Sequence, residues 1–222
     1  MAEYTISFIN NSTDTRSFLC YQKDPDIGVP NAVSLAWFAK TTRPNTHVDF
    51  SWKINYSFIW SETGLLKPGV RFVASERVDA DLLNENDIIF NQDNGAYGFI
   101  NLSGTGKEGS LAIHTSTGFP PNKASIGIGM SGSGTFAVQA RPNDNVVFTP
   151  HPEYWVAFGN FMPGQVLDIS QISNTARVKF PPNVYAMTVI IDDSFEWKVI
   201  PTSEANALFL SGKYSQTELL TI

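Results

Sequence analysis

The residues that could do chemistry in this chain of 222 residues are few and scattered. The three histidines, His47, His114 and His151, stand far apart in the sequence, and none falls in the H-x-x-x-H or C-x-x-C spacing that sets two metal ligands side by side. Cys20 has no second cysteine to pair with and alternates with Leu19 along a strand pattern, so it reads as a small buried hydrophobe rather than a nucleophile. Carboxylates gather at Glu76, Asp79 and Asp81 and again at Asp192, Asp193 and Glu196. A calcium loop needs about six to eight oxygens, so these are read as solvated turns. The run Gly104-Thr105-Gly106-Lys107-Glu108-Gly109 fits G-x-G-x-x-G, but the strand-like SLAIHTS follows it where a dinucleotide fold requires a helix. It is therefore read as a hairpin loop. No G-x-S-x-G surrounds Ser131 or Ser133, so there is no nucleophile elbow. These patterns predict no catalytic residue, no metal site and no cofactor.

What remains is a candidate ligand or interface surface made of Tyr154, Trp155, His151, Gly127 and Gly129. Tyr154 and Trp155 are adjacent, so on a strand they point to opposite faces and one of them is free to stack on a sugar or on a neighbouring subunit. Gly127 and Gly129 alternate along a strand, where the missing side chains permit close backbone approach. Tight sheet packing explains that pattern more simply than a ligand surface does.

The elements that must position these residues are strands. In Val48–Trp60 every even position is apolar, and all but Ile59 of the odd ones are polar, the period of a half-buried strand or of two collinear ones. Aromatic residues make up 13% of the chain and charged residues 16%, well under the roughly 25% of an average soluble protein. Sixteen glycines and thirteen prolines suit short strands joined by tight turns. The expected fold is all-β, one or more antiparallel β-sandwiches with at most short helical turns.

The chain also reads as if written twice. Phe8-Ile9-Asn10-x-Ser12 recurs as Phe99-Ile100-Asn101-x-Ser103, and Pro30-Asn31-x-x-Ser34-Leu35 as Pro121-Asn122-x-x-Ser125-Ile126, both at an offset of 91. Arg43-Pro44-Asn45-x-x-Val48-x-Phe50 recurs as Arg141-Pro142-Asn143-x-x-Val146-x-Phe148 at an offset of 98. Tyr56 then matches Tyr154, Pro68-Gly69 matches Pro163-Gly164, Phe90 matches Phe180 and Tyr97 matches Tyr185. The expectation is two β modules, 4–96 and 97–200, as two sandwiches or fused into one body, with 201–222 as a C-terminal tail outside the repeat. In the second copy Pro150-His151-Pro152 interrupts the counterpart of the long strand, which must bend or lie at a sheet edge there. Thr202 or Ser203 is placed to cap a short helix through Leu210, closed by Gly212; two small strands are the alternative for the tail.

Composition narrows function by exclusion. The net charge is −6 with no run of Lys or Arg, which removes the basic footprint a nucleic-acid partner requires. No apolar run is long enough for a transmembrane segment. The opening MAEYTISFIN has no basic, apolar signal pattern, so cytoplasmic location is the default, with non-classical export left open.

Five words resemble the RhiA family of rhizosphere-induced proteins over about residues 4–199. They are Tyr21-Gln22-x-Asp24-Pro25-x-x-Gly28-Val29-Pro30, Ser34-Leu35-Ala36-Trp37, Tyr56-Ser57-Phe58-Ile59-Trp60, Gly127-Ile128-Gly129-Met130-Ser131-Gly132 and Pro181-Pro182-Asn183-Val184-Tyr185. The resemblance implies a bacterial protein of this size whose expression is tied to cell density and life near roots. It brings no reaction and no catalytic residues. Together these readings point to a non-enzymatic protein acting by protein–protein interaction, most simply self-association into an oligomer or filament. The alternative is a lectin-like module for a carbohydrate or small molecule, with a groove at Tyr154, Trp155 and the Gly-rich segment.

Overall fold

The structure, a computed structural model, describes residues 2–23 and 27–211. Its first nine strands are β1 (Glu3–Asn10), β2 (Arg16–Lys23), β3 (Val33–Ser34), β4 (Phe38–Thr42), β5 (Thr46–Lys53), β6 (Tyr56–Ser61), β7 (Glu76–Ala80), β8 (Asp87–Asp93) and β9 (Ala96–Ser103). The rest are β10 (Leu111–Thr115), β11 (Ser125–Met130), β12 (Ser133–Gln139), β13 (Asn145–Phe148), β14 (Glu153–Gly159), β15 (Thr175–Val178), β16 (Ala186–Ile191) and β17 (Trp197–Pro201), followed by the helix α1 (Thr202–Leu210).

The protein is all-β. Four sheets form: sheet I is β17-β16-β1-β5, sheet II is β15-β14-β2-β4, sheet III is β9-β8-β10-β13, and sheet IV is β7-β6-β11-β12-β3. Sheets I and II face each other, with Phe8 of β1 stacked on Phe18 of β2 at 3.8 Å between ring centroids. Sheets III and IV face each other through Trp60, 5.7 Å from Phe90 and 5.8 Å from Tyr97. These rings belong to one continuous buried cluster that runs through both sandwiches. Most pairings are antiparallel as expected, but β1 runs parallel to β16 and β8 parallel to β10. Parallel neighbours need a long crossover, and here the partners come from distant parts of the chain.

The stretch Val48–Trp60 is two strands in different sheets. In β5, Val48 and Trp52 are buried while His47, Asp49, Ser51 and Lys53 face solvent. β6 is buried at every position. Its odd face is covered as well, since Ile59 packs with Leu35, Phe72, Ala137 and Val166. Between them, at Ile54-Asn55, the chain leaves the first sandwich for the second, which it has already touched once with the two-residue strand β3. It stays there through β13 and returns at Pro150-His151-Pro152 to lay down β14–β17. Every sheet therefore mixes strands from either side of residue 96. As the proline pair requires, β13 lies at a sheet edge; so does its uninterrupted partner in sequence, β5.

The two sandwiches share a topology. Exchanging β1, β2, β4, β5, β6, β7, β8 and β9 with β10–β17 in order turns sheet I into sheet III and sheet II into sheet IV, with β3 extra. The parallel pair falls in the same place in each. Tyr56 lies opposite Ala80 as Tyr154 lies opposite Val178, both at the offset of 98, and Phe38 lies opposite Cys20 as Phe136, 98 residues on, lies opposite Ile128, 108 residues on. Both Arg-Pro-Asn turns place the asparagine left-handed, Asn45 at φ 57° and Asn143 at φ 56°. Both Pro-Gly turns do the same with Gly69 and Gly164, and they pair with each other through Gly69 N–H to the Val166 carbonyl (2.9 Å) and Phe72 N–H to the Gly164 carbonyl (2.8 Å). The words at offset 91 do not coincide with this correspondence. Phe8 is matched by Ile113 on β10, not by Phe99 on β9, because pairing to the parallel neighbour fixes β1 against β10. Phe90 likewise corresponds to Ile191 rather than Phe180.

α1 does not use a side-chain cap. Pro201 occupies the N-cap position, and the Thr202 hydroxyl instead accepts from Thr188 at 3.1 Å. The helix lies on the outer face of sheet I, where Ala205 and Phe209 cover Ile9, Ile190 and Ile200. Gly212 and the remainder of the tail lie outside the described residues.

Candidate functional site

The crossings at Ile54-Asn55 and Pro150-His151-Pro152 meet at a cleft of about 630 Å³. Ile54 and Tyr56 from the first crossing line one side, Pro150, His151, Pro152 and Tyr154 from the second line another, and Tyr4, Arg177, Lys179 and Phe180 complete it. Two prolines around His151 fix the backbone of one wall, since each locks its own φ. The floor is aromatic. Tyr154 lies 5.0 Å from Trp52 and 5.9 Å from Phe180, and Tyr4 lies 5.1 Å from Phe180. Burial pushes the Tyr154 hydroxyl up to about 12, with the Trp52 indole beside it drawing the other way. Tyr154 thus keeps its proton at neutral pH.

Arg177 and Lys179 alternate with Val178 and Phe180, so the cations face outward while the apolar pair faces in. Arg177 pairs with Glu153 at 2.8 Å. Lys179 is exposed and makes no ion pair among the described residues.

The five sequence-derived candidates do not form one surface. Tyr154 and His151 line the cleft. Trp155 points to the other side of β14, into the small cluster of Leu19, Tyr21, Ala157 and Leu167. Its indole N–H donates to Glu153 at 3.2 Å, and the Lys23 ammonium sits 3.7 Å from its ring centre, on the face a sugar would use. Gly127 and Gly129 are buried in β11 between β6 and β12. A Cβ at Gly127 would overlap the Phe136 carbonyl oxygen and lie 2.8 Å from the Ala137 Cα. The glycines let two strands close on each other and face no cleft.

Sequence reasoning missed Tyr4, Arg177, Lys179 and Phe180. They come from β1 and from the β15 end, more than a hundred residues apart, and only the return crossing brings them together. The period-two Arg177-x-Lys179 beside apolar Val178-x-Phe180 is the one local signal.

A second feature is the outer face of sheet III. Topologically it matches the face of sheet I that α1 covers. His114 stands where Ile9 stands in sheet I, held to Asp87 at 3.0 Å, and Ile89 where Ile190 stands. No element of the described chain packs over it as α1 does, and Ile100 and Leu102 of the edge strand β9 are 44% and 37% exposed.

Among the described residues no three His, Cys, Asp or Glu side chains gather to hold a metal, and no helix is long and apolar enough to cross a membrane. Burial drives the Cys20 thiol up, which keeps it protonated at neutral pH.

Fold and cleft together define an all-β protein of two interlocked sandwiches with a mixed aromatic and cationic cleft where they join. The chain belongs to the RhiA family, whose profile matches residues 1–202. It is 37% identical over 202 residues to Protein RhiA of Rhizobium leguminosarum bv. viciae, covering 90% of this chain and 87% of that protein. No solved structure matches it. The family match ends where α1 begins.

Proposed function

We propose that the protein works without catalysis, by associating with copies of itself head to tail. The observation that carries this is the unequal covering of two equivalent faces. Sheet I buries Ile9 and Ile190 under α1, while sheet III leaves Ile100 and Leu102 in water. What covers the first face is a C-terminal segment. At the same end of the chain Leu210 is 82% exposed, and the sequence that follows the described residues includes Leu219, Leu220 and Ile222. A second copy presenting that end to sheet III would complete the symmetry of the faces. Such a contact joins unlike surfaces, so it propagates into rings or filaments rather than closing as a dimer. The open edge of β9 adds main-chain donors and acceptors for an incoming segment. The assembly is proposed to form in the cytoplasm.

The same reading takes the chain as a duplicated unit whose copies exchanged their second halves, β1–β9 with β10–β17. The shared topology and the register of β6 on β7 repeated in β14 on β15 at an offset of 98 support it. The division then falls within 104–110 rather than at 96/97.

Light scattering on the full chain at increasing concentration tests the assembly. Masses above that of one chain are expected, and the double variant Ile100→Lys, Leu102→Lys should return a single-chain mass with unchanged circular dichroism. A native chain that stays a monomer throughout would sink the proposal.

A further inference from the structure

We infer that the cleft between the crossings is a binding site for a short acidic saccharide. Its floor of Tyr4, Tyr154 and Phe180 offers ring surface to the C–H faces of a sugar, and the rim of Arg177 and Lys179 meets its polar edge. Packing against Trp52 holds these rings in place before any ligand arrives. At about 630 Å³ the cleft falls in the range of small-molecule sites and accommodates two or three sugar rings.

The charge of the ligand follows from the rim. Arg177 and Lys179 are positive and Glu153 negative, so the cleft carries an excess of one positive charge in a chain of net charge −6. Glu153 is already held by Arg177, which leaves Lys179 as the cleft cation with no ion pair among the described residues. One surplus charge suits a carboxylate and falls far short of a polyphosphate backbone.

The fold does not demand these cations. In the register of β7 on β6, the places of Arg177 and Lys179 on the other crossing are taken by Asp79 and Asp81. The aromatic partner is kept, Tyr56 for Tyr154, but the charge is reversed. A merely structural pair of crossings would tolerate either sign at both, whereas here one crossing alone has the chemistry of an anion receptor. Asp81 on the other side is spent on its own turn, accepting from the amides of Leu83 and Asn84 at 2.8 Å each.

Isothermal titration of the full chain with a uronic-acid trisaccharide, and with its carboxyl-reduced neutral counterpart, tests the site. Saturable binding of the acid is expected, roughly tenfold or more tighter than of the neutral sugar, the difference one charge-assisted contact supplies. Lys179→Asp, an exposed change that reproduces the opposite crossing, should abolish binding of the acid without altering the melting temperature. The assembly-deficient Ile100→Lys, Leu102→Lys chain should bind as the native one does, which separates this site from the self-association surface. Absence of binding to the native chain, equal binding of both sugars, or full binding by Lys179→Asp would each overturn the inference.

Discussion

Replacing Gly127 by alanine probes how closely β11 and β12 approach. The new Cβ would overlap the Phe136 carbonyl oxygen and stand 2.8 Å from the Ala137 Cα. Carbon atoms in contact normally keep about 3.5–4.0 Å apart, so the two strands would have to part by about 1 Å. No rotamer relieves this, because both obstacles are backbone and an alanine has no χ angle to turn. Overpacking of this kind costs about 1–3 kcal/mol. Parting the strands also weakens the neighbouring ladder hydrogen bonds, at about 1 kcal/mol each. Against that, alanine stiffens the unfolded chain and returns about 0.4–1 kcal/mol. The net loss is about 2–4 kcal/mol, which for a chain of this length lowers the melting temperature by about 4–16 °C. Gly118→Ala is the control: nothing lies within 4 Å of its Cβ position and its backbone is not left-handed, so it should melt within about 2 °C of the native protein. Thermal unfolding followed by circular dichroism reads both. If Gly127→Ala melted with the control, β11 would not be closed on β12 and the glycine would be open to a ligand after all.

Glu76→Ala should cost about 2–4 kcal/mol in urea unfolding, because one carboxylate oxygen accepts both the Trp60 indole N–H at 2.6 Å and the Phe99 amide at 3.0 Å. Glu76→Gln keeps an acceptor and should lose less, and equal losses would show that the two donors find other partners. Trp37→Phe removes the donor to the buried Met130 carbonyl at 2.9 Å and should destabilise by about 1–3 kcal/mol, while an unchanged midpoint would mean that the carbonyl finds another donor. Tyr21 and Tyr154 are both pushed up to about 12 by burial, so the unfolded chain releases these protons first and stability must fall as pH rises from 10 to 12. For Tyr154 the loss approaches about 2–3 kcal/mol, and Tyr154→Phe should flatten its part of the alkaline slope. A slope unchanged in that variant would place the phenol in water.

Local patterns were legible where the cause is local. The alternation of β5, the left-handed asparagines of the two Arg-Pro-Asn turns and the paired Pro-Gly turns all follow from side-chain period and backbone preference, which a sequence displays directly. The matches at an offset of 98 from Arg43 to Tyr154 fall on corresponding strands for the same reason: they share turns and registers. The words at offset 91 failed because Phe-Ile-Asn and Pro-Asn suit almost any strand and turn, and only the parallel pairing of β1 to β16 and β10 to β8 decides which strands correspond. The cleft was half legible. Tyr154 and His151 stand out beside the prolines, but Tyr4, Arg177 and Lys179 are brought to them by a crossover that the sequence marks only with the alternation of Arg177 and Lys179. Trp155 failed as a sugar platform because Lys23, across the sheet from it, covers the ring.

The Ile54-Asn55 and Pro150-His151-Pro152 crossings are also where the proposed duplication has most freedom to diverge. A strand inside a sheet is constrained by both neighbours and by the opposite sheet, so its two copies must stay alike, as Tyr56 on β6 and Tyr154 on β14 do. A crossing is held at its ends and open on one side. One copy can keep a plain bend while the other acquires prolines, and one rim can carry Asp79 and Asp81 while the other carries Arg177 and Lys179. The same argument holds for the outer faces, where α1 covers sheet I and nothing described covers sheet III. Both proposed activities, saccharide binding and head-to-tail contact, therefore fall where the halves differ and the packed core does not object. A substitution that restores equivalence at either place, Lys179→Asp at the cleft or Ile100→Lys (the residue type of Lys198) on sheet III, should remove one activity and leave the fold and the other activity intact.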